Sequence, residues 1–128
     1  MKLAANIAGG LLGLLFVAVG LMILLHLGPE QPPPPEGSPV ALFMGALIPS
    51  GYMTFVKVLE VLGGILVAIP KTRNYGLLVL GPIIINILAF HVFLTKGAGL
   101  ADPMLIGICL ITAFLLWSGR KAFAGLMN

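Results

Sequence analysis

The chain has 128 residues, of which 59% are hydrophobic and 9% charged, with a formal net charge of +3 and a mean hydropathy of +1.14. A soluble domain carries about 25% charged residues, so these charges are too few to cover a soluble globule, and the apolar content is too high for a disordered chain. The one cysteine, Cys109, excludes an internal disulfide, a paired-thiol redox motif and a cysteine-based zinc site, and the basic residues are scattered among apolar runs without forming a nucleic-acid patch.

A bilayer core of about 30 Å requires about 20 mostly apolar residues per spanning helix. Four segments meet or approach that length: Leu3 to Leu27, Tyr52 to Ile69, Gly76 to Thr95 and Pro103 to Ser118. The first follows Lys2 as a secretory signal would. Its apolar run is longer than such a region, however, and no A-x-A pattern follows, so a retained membrane helix is expected. Residues 28–38, GPEQPPPPEGS, form a polar loop whose four prolines, Pro32 to Pro35, favour polyproline II. Val40 to Ile48 is apolar but too short to span, and Pro49-Ser50-Gly51 separates it from the next helix. It reads as an interfacial or re-entrant segment capping one side of the bundle. Ser50 or Gly51 is the expected cap of the second span, Asn74 of the third, and Asp102-Pro103 of the fourth. Pro82 is expected to kink the third, and Arg120 and Lys121 suit the C-terminal end of the fourth.

The short loops set the orientation. Lys2, Lys71, Arg73, Arg120 and Lys121 fall on one side and only Lys96 on the other, with Glu30, Glu36 and Asp102. The positive-inside rule then puts both termini in the cytoplasm and the 28–51 loop and cap outside. The fold expected is all-α: a single integral membrane domain over 1–128, an antiparallel four-helix bundle with a short extracytoplasmic segment.

Polar and ionisable groups within a span are functional candidates, and here they are Lys57, Glu60, Asn86, His91 and His26. Lys57 and Glu60 are three apart and share a helix face. Each charge costs about 2.5–3.5 kcal/mol at a helix centre, so the second span is marginal alone and its polar face should turn inward. At about 1.5 Å per residue, Glu60 and Asn86 both lie about 15 Å from the inner ends of their helices. Lys57 and His91 are nearly level further out, and His26 lies near the outer boundary. The five outline a candidate polar pocket beneath the 40–48 cap, although Asn86 and His91 are about 140° apart on an ideal helix. A carboxylate, an imidazole and an amide suit a proton relay or the oxygens of a quinone. Met22 and His26 share a face and offer Cu(I) ligands, but filling core gaps is the commoner role of methionine, so copper is the weaker reading. Gly9 with Gly13, and Gly64 with Ala68, are small-residue packing pairs. Gly63-Gly64 admits a neighbour near Glu60, and Cys109 reads as a small apolar residue within the fourth span.

The stretch GYMTFVKVLEVLGGILVAIPKTRNYGLLVLGPIIINILAFHVFL resembles the core of the DoxX family. The matching features are the Lys57-x-x-Glu60 face, Gly63-Gly64, Pro70 followed by Arg73, and Pro82…Asn86…His91. The resemblance covers about residues 3 to 121. It implies a small multi-pass protein of the bacterial or archaeal cytoplasmic membrane. The family takes its name from a subunit of a terminal quinol oxidase or thiosulfate:quinone oxidoreductase, and some members are linked to thiol and oxidative-stress systems. Three roles follow as expectations: an accessory, redox-associated subunit binding a quinone or lipid-like molecule; an assembly or scaffold protein without ligand chemistry; and a small-solute or proton transporter acting as a dimer. The partners expected are the bilayer, a membrane redox protein and a second copy of the chain, with no nucleic acid.

Overall fold

The computed structural model describes residues 2–28 and 32–127; Pro29, Glu30 and Gln31 of the expected polar loop lie outside the described residues. Six α-helices make up the fold, and no strand occurs among the described residues. They are α1 (Lys2–Leu24), α2 (Pro39–Leu47), α3 (Tyr52–Ala68), α4 (Arg73–Ala89), α5 (Pro103–Ser118) and α6 (Arg120–Ala124). A π-helical turn, Phe90–Leu94, continues α4, and a short 3₁₀ turn, Gly125–Met127, follows α6. By length and composition, α1 and the continuous Arg73–Leu94 helix are long and apolar enough to cross a membrane. The number rises to four if α2 with α3, bent by 81°, and α5 with the helix after it, bent by 69°, are each one broken span.

Short polar signals set the helix ends. Ser38 accepts from Ala41 N at 3.2 Å with Pro39 as the next residue, and Asp102 accepts from Met104 N at 3.0 Å ahead of Pro103. Both satisfy otherwise orphaned N–H groups with proline at the first helical position. Ser50 Oγ accepts from Tyr52 N at 3.3 Å, beside Gly51 at φ 84°. Asn74 does not cap the third span. That helix begins two residues earlier, at Arg73 behind Thr72, and the Asn74 side chain lies against Gly119, where α5 bends into α6. α1 ends at Leu24, short of the expected Leu27. Leu27 N donates to Met22 O at 2.8 Å and His26 N to Ile23 O at 3.3 Å, with His26 at φ 55°. This is a Schellman closure in which histidine takes the left-handed position usual for glycine. At the other end of the molecule, Arg120 donates to Trp117 O at 2.8 Å and lies 4.5 Å from that ring's centroid, closing α5 as a terminal cation should.

α3 lies between α1 and α4, and α5 reaches both α1 and α4. The α1–α3 contact is made by small residues. A Cβ on Gly13 would meet the Gly64 carbonyl and the Ala68 methyl, one on Gly64 would meet Gly13 O, and one on Gly9 would meet Val67 O. The two small-residue pairs of the sequence therefore face each other. On the opposite flank of α3, Gly63 receives Leu80, and Gly76 of α4 lies against Val67. Leu12, Val67, Leu77, Leu80 and Leu115 are fully buried among these helices, and Cys109 packs at the edge of that core. Leucine gains little by leaving lipid tails, so close packing of small residues is the main cohesive term for such helices in a bilayer.

Candidate functional site

Beside α3, away from the glycine contact with α1, a cavity of about 570 Å³ opens between α2, α3 and α4. α3 contributes Met53, Val56, Lys57 and Glu60, a stripe at i, i+3, i+4 and i+7 that forms one helix face. α4 and its π turn contribute Ile83, Asn86, Ile87, Phe90 and Leu94, again at three- and four-residue steps. α2 closes one side with Phe43, Met44 and Leu47, and the Phe43 and Phe90 rings lie 5.6 Å apart. The short apolar segment after the proline loop is thus the wall of this cavity nearest the bend into α3.

The polar groups are few and concentrated. Lys57 Nζ and Glu60 Oε2 form an ion pair at 3.0 Å, one helical turn apart. Glu60 is 3% exposed, while the Lys57 side chain is 16% exposed. The carboxylate is thus held at the back of the cavity and the ammonium nearer its opening. A lysine ammonium has three donors, so two remain beyond the pair. Asn86 donates through Nδ2 to Pro82 O at 2.9 Å, the carbonyl four residues back in its own helix. That bond fixes the amide and leaves its Oδ1 and second N–H for a guest.

Of the five candidate residues, Lys57, Glu60 and Asn86 line one cavity and His91 and His26 do not. His91 lies five residues beyond Asn86, about 140° around the helix, and Pro82 does not bring it back. The π turn brings Phe90, Phe93 and Leu94 to the cavity instead. His91 turns toward the following loop: its Nδ1 lies 3.0 Å from Ala98 O, and a side chain on Gly99 would strike the ring. Thr95 Oγ1 ties the same turn to His91 O, at 2.7 Å. His26, exposed at the end of α1, contributes its backbone conformation to the helix closure. His91→Ala is accordingly expected to cost about 1 kcal/mol, the worth of one hydrogen bond, and to leave occupancy of the cavity unchanged. Thermal unfolding in detergent, alongside ligand retention, checks both parts.

The aromatic lining was not among the candidates, although stepping by four and seven from Asn86 reaches Phe90 and Phe93. Among the described residues, no three His, Cys, Asp or Glu side chains converge as a metal site would require.

The fold and the cavity together define an all-helical protein with helices long and apolar enough to cross a membrane and, among the described residues, one ion pair enclosed between them. No family model matches the chain, and no solved structure matches it. Over 77 residues it is 33% identical to "Uncharacterized protein YwoB" of Bacillus subtilis (strain 168). The matched stretch is 60% of this chain and 48% of that protein, so the chain spans about half the length of the curated relative it matches.

Proposed function

We propose that the chain is a DoxX-like, four-span antiparallel bundle of the bacterial or archaeal cytoplasmic membrane with both termini in the cytoplasm. In this reading it is an accessory, redox-associated subunit that binds a quinone or lipid-like small molecule in the Lys57–Glu60–Asn86 cavity. The observation that carries the reading is the cavity itself: about 570 Å³, within the range of roughly 300–1,000 Å³ typical of small-molecule sites. Its walls are mainly aliphatic and aromatic, with Tyr52, Lys57, Glu60 and Asn86 as the residues that carry polar side-chain groups. A quinone ring suits the Phe43 and Phe90 surfaces. Its carbonyl oxygens accept from the free N–H groups of Lys57 or Asn86, and a quinol hydroxyl donates to Glu60. The separation of basic and acidic residues between the two ends of the helices supports the orientation.

The test uses the purified full chain in detergent, titrated with a short-tailed ubiquinone and a short-tailed menaquinone and followed by native mass spectrometry and calorimetry. Wild type is expected to bind one molecule per chain. Glu60→Gln and Asn86→Leu are each expected to weaken binding about tenfold, equivalent to about 1.4 kcal/mol. No binding by wild type, or equal binding by both variants, overturns the reading.

The closeness of the ion pair favours a second reading, that of an assembly protein in which Lys57 and Glu60 satisfy each other and fix helix packing. That reading expects the same substitutions to lower thermal stability and to weaken a partner complex while no small molecule is bound. Recovery of a stoichiometric ligand from wild type contradicts it.

A further inference from the structure

A second cavity, of about 340 Å³, lies at the opposite end of the helices among α1, the start of α4 and the end of α5. Its polar lining is Lys2, Asn6, Arg73, Asn74 and Ser118; no carboxylate lines it among the described residues. Arg73 is held there as a fork. Its Nε donates to Val67 O at 3.1 Å and one terminal nitrogen to Asn6 Oδ1 at 3.1 Å, while the guanidinium itself lies across Gly9, where a Cβ would collide with its Nε and Cζ. Two of the five guanidinium N–H groups are thus committed and three are free. Because Asn6 accepts through its oxygen, its NH₂ group remains a donor. Lys2 is exposed at the rim. The described carboxylates, Glu36, Glu60 and Asp102, lie in the loops at the far end or in the first cavity.

We propose that this cavity binds a phosphate-bearing anion, with Arg73 as the fixed fork and Lys2 as a mobile second charge. The recognition chemistry is a cluster of donors with no competing acceptor charge, and a planar guanidinium fork matches phosphate oxygens. Lys71, Arg120 and Lys121 are near in sequence to its walls and add to the local positive potential. Two sources carry such a group: the headgroup of an anionic phospholipid and free phosphate.

The purified full chain is titrated with phosphatidylglycerol, with phosphatidylcholine and with inorganic phosphate, and read by native mass spectrometry and by thermal shift. Wild type is expected to retain one phosphatidylglycerol per chain about 30-fold more tightly than phosphatidylcholine, a difference of two basic contacts near a membrane surface. Lys2→Gln is expected to lose about fivefold and Arg73→Lys at least as much, because the lysine keeps the charge and loses the fork. Lys96→Gln, exposed at the far end of the helices, should change binding less than twofold. Saturable stabilisation of wild type by inorganic phosphate, lost in Lys2→Gln, assigns the source to the soluble anion. Lys2→Gln removes a side chain exposed at the rim, so it reports on the site even where an Arg73 variant folds poorly. The proposal is overturned if neither anion saturates wild type, or if Lys96→Gln weakens binding as much as Lys2→Gln does.

Discussion

Lys57→Met is expected to cost the folded protein about 3 kcal/mol, the lower end of the penalty for removing one member of a buried ion pair. The physical reason is the asymmetry of the pair. Glu60 is 3% exposed and pairs with Lys57 Nζ at 3.0 Å, so without Lys57 its carboxylate must stay charged without a partner or take up a proton. Glu60→Leu leaves the opposite case, an ammonium on a flexible stem that already reaches toward the cavity opening and can extend to water, and the loss should be smaller. Lys57→Met combined with Glu60→Leu should recover most of the stability, because apolar groups of similar size need no counter-charge. Denaturant unfolding in detergent micelles measures the full cycle. A Lys57→Met variant within about 0.5 kcal/mol of wild type, the range of a neutral surface change, would show that Glu60 has a second partner.

Gly13→Val should destabilise by about 1–3 kcal/mol, the usual penalty for overfilling a packed contact. A side chain there would meet the Gly64 carbonyl and Ala68, which are backbone and a short methyl and cannot swing aside, so α1 would have to move away from α3. Gly10→Val provides the control: it is also in α1, but a Cβ there meets nothing within 4 Å, and its effect should remain within about 0.5 kcal/mol. Thermal unfolding of both variants side by side separates close helix packing from the general cost of altering a glycine. Equal losses in the two would remove the α1–α3 contact as the main cohesive element.

The sequence was most informative where one residue has one local consequence. Apolar runs ended by Asp102-Pro103 or Pro49-Ser50-Gly51 marked helix limits to within a few residues, because proline and capping side chains act within a single turn. Ser38-Pro39 carries the same signal as Asp102-Pro103, and α2 begins there. Three of the five candidate residues were legible as one site too. Lys57 and Glu60 are a turn apart on one helix, and depth counted along α3 and α4 brought Glu60 and Asn86 to one cavity. His91 failed for an angular reason: matching depth says nothing about azimuth, and five residues turn a helix away from the face on which the count began. The basic-end cavity left no trace in the pattern, since Asn6 and Arg73 are 67 positions apart and meet where Gly9 leaves room for the guanidinium.

The ion pair of α3 also bears on how such a chain is made. Both charges sit on one helix, a single turn apart, so the segment carries its own counter-ion when it leaves the ribosome. Neutralised within one turn, it needs no later helix to supply the opposite sign.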